Sequence, residues 1–135
     1  MKFLFQMDDP RKFDINSDTT YLLIRETLKR KIHCYYTHAN DVHAAISGKN
    51  NIIQARVSKI YLNKDNSLNY QKSSLANLKQ FNAIFVRQDP PYNMQYISNT
   101  YLLSELEKHC LIVNNSLSLR NYPEKHIMMN FPSLT

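Results

Sequence analysis

The stretch AIFVRQDPPYN, residues 83–93, joins a short apolar run to a polar loop that contains two adjacent prolines. The four apolar residues from Ala83 to Val86 are typical of a buried strand. The prolines fix the backbone after it, and each pushes the residue before it into an extended conformation. A helical pattern follows, and its predicted apolar face consists of Met94, Ile97, Tyr101, Leu102 and Leu106. The stretch therefore predicts a strand–loop–helix unit.

Strands and helices also alternate on both sides of this stretch. Asp18 is a good N-cap for a helix that runs to about Lys31. Further strands are predicted at residues 2–7, 32–37 and 110–113, and the tail 116–131 is predicted to be helical in two pieces, broken before Pro123. This order indicates an α/β layer fold with a mostly parallel sheet. Because no linker divides the chain, residues 1–135 are predicted to form one domain.

The segment between the second strand and residue 83 carries weaker patterns. Residues 38–46 are interpreted as a helical turn, and 52–62 alternate in part, which suggests a hairpin or an edge strand. Residues 63–74 are polar and loop-like, and 74–80 are compatible with a short helix. We therefore expect a small hairpin insertion in the sheet.

Gly48 is the only glycine among the 135 residues. The phosphate loops of P-loop enzymes and of dinucleotide-binding folds need several glycines, since the backbone must approach phosphate closely. Neither kind of nucleotide loop is therefore present.

Cys34 and Cys110 lie in apolar runs, where a free cysteine behaves as a small hydrophobe. The histidines lack a metal-ligand spacing, so no metal site is expected.

The formal net charge is +6, with much of the excess in residues 49–79. A nucleic-acid interface would normally combine such a patch with interleaved aromatic residues, which are sparse here. The excess of lysine over arginine is also expected from AT-rich codons, so we expect no nucleic-acid partner. The apolar start of the sequence is interrupted by Asp8 and Asp9 too soon to be expected to act as a signal peptide, and no apolar run approaches the length of a membrane span. We expect a soluble, cytoplasmic chain without membrane contact.

The polar segments that follow the strands are the candidate sites, because parallel sheets bind ligands beyond the carboxyl ends of their strands. Arg87 and Asp89 lie in the stiffest of these loops. An arginine can hold a carboxylate with two hydrogen bonds, and an aspartate beside it can receive an ammonium group. The pair suits an amino-acid-like ligand. The alternative is that Arg87 and Asp89 simply pair with each other.

Asp8 and Asp9 after the first strand are also typical of phospho-acceptor receiver domains, which have a similar length and an α/β fold. Those domains carry a lysine near the last strand, where this chain has Asn114-Asn115. The acidic pair is therefore better interpreted as a solvated loop.

Taken in order, several short segments resemble the N-terminal domain of bacterial glutathione synthetase. The resemblance extends along essentially the whole chain and is tightest from residue 83 onward. The matching segments are Met7-Asp8, Asp18-Thr19-Thr20, Arg87-Gln88-Asp89-Pro90-Pro91, Thr100-Tyr101-Leu102-Leu103, Leu111-Ile112-Val113-Asn114, Ser118-Leu119-Arg120, Glu124-Lys125 and Phe131-Pro132-Ser133-Leu134-Thr135.

The resemblance implies a three-layer, Rossmann-like pre-ATP-grasp domain. It implies a family that joins γ-glutamylcysteine to glycine with ATP and magnesium, through an acyl phosphate. By the same resemblance, Arg87 and Asp89 face the dipeptide, Asp18 and Thr19 lie on the same side, and Lys125 contacts ATP. It also implies that the chain forms homo-oligomers, with residues 94–108 or 49–79 as candidate contacts.

The chain departs from the family pattern in its first loop and at its end. Asp9 replaces a proline, Asp14 an asparagine and Ser17 a lysine, and Asn114-Asn115-Ser116 replaces an Asn-x-Pro turn. The ATP-grasp domain, with its glycine-rich lid and magnesium carboxylates, is not in the sequence. We therefore expect a substrate-side half that has no catalytic residues of its own and does not catalyse alone, and whose partner is the ATP-grasp half if that half is encoded separately. The alternatives are a truncated-gene product kept as a binding or oligomerisation module, and an inert remnant.

Overall fold

The computed structural model describes residues 1–134, so Thr135, the last residue of the predicted domain, lies outside the described residues. Strands and helices alternate at both ends of the chain, and a run of strands lies between them. The strands are β1 (Lys2–Met7), β2 (His33–His38), β3 (His43–Ser47), β4 (Asn50–Leu62), β5 (Leu68–Tyr70), β6 (Ser74–Asn77), β7 (Ala83–Arg87) and β8 (Leu111–Val113). The helices are α1 (Thr19–Lys29), α2 (Met94–Ser104), α3 (Ser116–Asn121) and α4 (Glu124–Ile127).

Four parallel strands form the centre of the fold, in the order β2-β1-β7-β8. Leu4 of β1 is in register with Tyr35 on one side and with Ile84 on the other. The predicted α/β fold and its strands at residues 2–7, 32–37, 83–86 and 110–113 are confirmed, each within one residue at either end. Since β1 and β7 are neighbours, the polar residues that follow them meet at one edge of the sheet.

The insertion is larger than the predicted small hairpin. The long strand β4 pairs antiparallel with β2, β3, β5 and β6, and is therefore not an edge strand. The predicted helical turn at 38–46 is limited to a 3-10 turn at Ala39–Asp41, and the predicted short helix at 74–80 is β6 followed by a 3-10 turn at Leu78–Gln80. The loop-like stretch 63–74 contains β5. Pairing with β4 makes β3, β5 and β6 strands, because strand formation depends on cross-strand neighbours more than on local propensity.

Two apolar cores lie on opposite faces of the sheet. On one face, Leu4 and Ile84 belong to the same cluster as Leu103 and Leu106, from α2 and the turn after it. On the other face, Phe5 and Met7 cluster with Ile24 of α1. Alternate residues of β1 therefore serve different cores, as expected for a strand covered on both sides. The result is the predicted three-layer architecture.

The buried face of α2 differs from the predicted one. Met94 is 73% exposed and Tyr101 is 58% exposed, whereas Asn99, Thr100 and Leu103 are buried. Burial of Asn99 is tolerated because its side-chain amide donates hydrogen bonds to the Ala39 carbonyl and to Gln88 Oε1. The prediction was right for Leu106, which is fully buried, and for Leu102, which packs against the core, but wrong for Met94 and Tyr101.

The orientation of α2 gives a test by paired substitutions. Leu103→Ala should lower the free energy of unfolding by about 2–5 kcal/mol, because it leaves a cavity against Leu4 and Ile84. Met94→Ala should change it by about 0.5 kcal/mol or less, as expected for an exposed position. Urea denaturation followed by circular dichroism measures both. A larger loss for Met94→Ala than for Leu103→Ala would contradict this orientation.

Candidate substrate half-site

A small cleft lies where the carboxyl ends of β1 and β7 meet the start of α1. Its lining includes Asp8, Asp18, Thr20, Arg87 and Asp89, together with Met7, Asp9, Lys12 and Phe13 of the first loop. Its volume is ≈ 60 Å³. A space of that size holds one polar end of a small ligand rather than a whole dipeptide. Of the predicted substrate residues, Asp18, Arg87 and Asp89 are brought together here.

Asp18 sets the position of α1 at the edge of the cleft. Its carboxylate caps the helix by accepting hydrogen bonds from the backbone N–H groups of Thr20 (2.7 Å) and Tyr21 (3.1 Å). The helix therefore begins at Thr19, as the predicted N-cap requires. The cap also leaves a negative charge at the cleft and presents the hydroxyls of Thr19 and Thr20 toward β7.

Arg87 connects the end of β7 to those hydroxyls. Its Nε donates to Thr20 Oγ1 and its Nη2 donates to Thr19 Oγ1, each at 2.9 Å. One side of the guanidinium is thus occupied by the protein, while Nη1 is not part of this pair of bonds. Thr19 does not line the cleft itself but shares this contact. Within residues 1–134, Arg87 and Asp89 form no ion pair, so the alternative in which they pair with each other is wrong.

Asp89 is held by its backbone rather than by its carboxylate. Its N–H donates to Asp8 Oδ2 at 2.6 Å, which ties the proline loop to the end of β1. Partial desolvation raises the pKa of Asp89, the charges of Asp8 and Asp18 raise it further, and Arg87 lowers it. A cluster of carboxylates around one open position suits a bound ammonium group, which would relieve their mutual repulsion.

A set of amides beneath the loop was not found from the sequence. Gln88 Oε1 accepts hydrogen bonds from Gln6 Nε2 at 2.9 Å and from Asn99 Nδ2 at 3.3 Å. Gln6 is fully buried within β1. These bonds connect the residue between Arg87 and Asp89 to both β1 and α2. The available signal was Gln6 itself, a polar residue between the apolar Phe5 and Met7 of β1.

The residues of the first loop that depart from the family pattern form hydrogen bonds within that loop. Asp9 accepts from the Arg11 backbone and pairs with its guanidinium at 2.6 Å. The Arg11 side-chain hydrogen bond is the main reason that the pKa of Asp9 falls to about 2. Asp14 accepts hydrogen bonds from Asn16 N and Ser17 Oγ. These residues build the turn, and they bring Lys12, which the sequence did not single out, to the cleft.

Comparison with known proteins gives a consistent result. The family model "Prokaryotic glutathione synthetase, N-terminal domain" matches residues 1–120. The chain belongs to this family. The glutathione synthetase of Brucella melitensis is 32% identical over 136 residues, covering 99% of this chain and 42% of that protein. The glutathione synthetase of Rhodopseudomonas palustris is 27% identical with the same coverage, and that of Neisseria meningitidis is 32% identical, covering 100% of this chain and 43% of that protein.

The predicted family is thereby confirmed, and with it the N-terminal position of this domain. The chain spans about 42% of the length of the Brucella glutathione synthetase. All the residues that line the cleft fall within the matched range 1–120. The assignment of Arg87, Asp89, Asp18 and Thr19 to substrate binding stays a prediction.

Lys125 lies outside the matched range, in α4, with an exposed side chain. It is not among the residues that line the cleft, and its contact with ATP stays a prediction.

Across the described residues, no three His, Cys, Asp or Glu side chains are grouped so that they could hold a metal ion. None of the described helices is long and apolar enough to cross a membrane. Burial raises the pKa of the Cys34 thiol to about 12, in agreement with its predicted role in the core.

The electrostatic coupling in the cleft can be tested through the pKa of Asp89. Asp18→Asn should lower this pKa, because it removes a negative charge while asparagine still caps the helix. Arg87→Gln should instead raise the pKa of Asp89 above its value in the wild-type chain, because it removes a positive charge. Titration of the side-chain carboxyl carbons by NMR measures both changes.

Glu26→Gln is the matched control, since it removes a carboxylate that does not line the cleft, and it should leave the Asp89 pKa unchanged. An Asp89 pKa that does not respond to Asp18→Asn would contradict the proposed proximity of the two charges. Because its folded-state pKa is raised, Asp89 contributes stability below its unfolded pKa. That contribution is lost as the pH rises through the folded-state value.

Proposed function

We propose that this chain is the substrate-side half of a glutathione synthetase and binds γ-glutamylcysteine at the cleft between β1, β7 and α1. The observation that carries the proposal is the convergence of Arg87, Asp89 and Asp18 at one sheet edge in a member of this family. The reaction of the complete enzyme would join the dipeptide to glycine with ATP, through an acyl phosphate. The chain alone would bind without catalysing.

The charges of the cleft match the ends of the proposed ligand. γ-Glutamylcysteine carries an ammonium group and two carboxylates. The carboxylates of Asp89 and Asp18 would hold the ammonium group, and the free Nη1 edge of Arg87 would hold a carboxylate. The hydroxyls of Thr19 and Thr20 accept hydrogen bonds from Arg87, so each can donate its own proton to a ligand oxygen.

The remaining chemistry would come from the ATP-grasp half. The described residues do not fit a magnesium site, and we assign them no step through that ion. ATP would bind mainly to the ATP-grasp half, with Lys125 of this chain as a point charge for its phosphates. Attack by glycine requires the activated carboxyl group and the amine to be held together, which is why one half would not suffice.

Binding can be tested by isothermal titration calorimetry with γ-glutamylcysteine. The wild-type chain should bind, and Arg87→Ala should weaken binding by about ten- to a hundredfold, the usual cost of a charge-assisted hydrogen bond. Arg30→Ala is the matched control: Arg30 lies at the far end of α1, paired with Glu26, and should be neutral. No binding by the wild-type chain would overturn the proposal and favour an inert remnant.

Self-association is a second part of the proposal, supported by the exposed apolar side chains near α2 and α3. Met94, Tyr101, Leu117 and Tyr122 are each more than half exposed. α2 and α3 pack against each other, and exposed apolar side chains on neighbouring helices can form a protein–protein contact. We propose that a second copy of the chain covers it.

Sedimentation velocity over a concentration series tests this part separately. The wild-type chain should shift toward a dimer as its concentration rises, and Tyr101→Lys should weaken that shift, because it places a charge in the contact. Lys29→Glu is a control on the exposed part of α1 and should have no effect. A wild-type chain that stays monomeric throughout would contradict self-association and leave the substrate half-site unaffected.

A further inference from the structure

Two cations line the cleft, and the protein uses them differently. Arg87 spends Nε and Nη2 on the hydroxyls of Thr20 and Thr19. In the part of the chain that the structure describes, the Lys12 ammonium group has neither a hydrogen bond nor an ion pair, although its charge contributes to lowering the pKa of Asp9. Lys12 is therefore the cleft cation whose hydrogen-bonding capacity remains unused.

The contacts within the first loop explain why the neighbouring carboxylates do not bind the Lys12 ammonium group. Asp9, the nearest carboxylate that precedes Lys12, is bound through both oxygens by Arg11, and Asp14, the nearest that follows it, accepts hydrogen bonds from Asn16 N and Ser17 Oγ. The backbone N–H of Lys12 donates to the Asp9 carbonyl at 3.2 Å, so the 3-10 turn fixes where the side chain starts. The buried Pro10 anchors the same turn. The arrangement separates the two neighbouring cations: Arg11 stabilises the loop, and Lys12 is left at the cleft.

The balance of charge explains why such a group matters. Four carboxylates line the cleft, from Asp8, Asp9, Asp18 and Asp89; Arg11 neutralises that of Asp9, which leaves three against the two cations. This excess of negative charge favours an ammonium group but repels the carboxylates of a dipeptide. Arg87 offers only part of its guanidinium. A ligand with two carboxylates therefore needs a second cation that is free to move onto one of them.

We propose that Lys12 is a substrate-binding residue whose ammonium group pairs with a carboxylate of γ-glutamylcysteine, an inference that rests on the proposed function. A lysine suits this role because its charge sits on a flexible stem and can follow a ligand that the small cleft encloses only in part. Arg87 supplies the fixed contact, and Lys12 supplies the adjustable one.

The test is calorimetric titration of the full chain with γ-glutamylcysteine at two ionic strengths. Lys12→Gln should weaken binding by about tenfold at low salt, the scale of one charge-assisted contact, with a smaller difference at high salt. Lys12→Arg should keep most of the affinity because it keeps the charge. Lys29→Gln, an exposed lysine near the end of α1, is the matched control and should bind like the wild type.

A second ligand separates binding from a structural role. The Lys12→Gln chain should discriminate less than the wild type between γ-glutamylcysteine and its carboxamide, since the lost contact is with a carboxylate. Equal affinities for wild type and Lys12→Gln would overturn the role of Lys12 and leave the half-site standing. A wild-type chain that binds no dipeptide would overturn both the role of Lys12 and the proposed function.

Discussion

The guanidinium of Arg87 holds the edge of the sheet and the start of α1 together. Its bonds to Thr19 and Thr20 span 68 and 67 positions of sequence and join β7 to the helix whose Ile24 packs with Phe5 and Met7 of β1. They are available only because the Asp18 cap starts α1 at Thr19. The cleft is the space that this connection leaves open, and its charges follow from the residues that make the connection.

The proline loop is fixed from two further directions. Below it, Gln88 accepts hydrogen bonds from Gln6 and Asn99, so β1 and α2 both hold the middle of the loop. Beside it, the Asp89 N–H is bound to Asp8. A loop held in this way keeps its charged side chains in place before a ligand arrives, which reduces the ordering cost of binding. The same layers that bury the core therefore also prepare the site.

Much of this arrangement could be predicted from the sequence, because local signals determine it. The apolar runs of β1 and β7, the Asp18 cap and the order of strands and helices place Asp18, Arg87 and Asp89, though not Lys125, at one sheet edge. Longer-range contacts determine what was missed. Strands β3, β5 and β6 form by pairing with β4, the buried face of α2 depends on the hydrogen bonds of Asn99, and Lys12 reaches the cleft through a turn built by Asp9 and Arg11. These contacts leave no periodic pattern in the sequence from which they could be predicted.

The central claim is that the dipeptide binds where β1, β7 and α1 meet. Backbone amide shifts of the labelled chain, followed during titration with γ-glutamylcysteine, test it most directly. The shifted amides should cluster in residues 8–20 and 87–89. Shifts confined to the open groove along β8, lined by Asn82, Glu107 and Asn115, would contradict it, as would a spectrum that does not change.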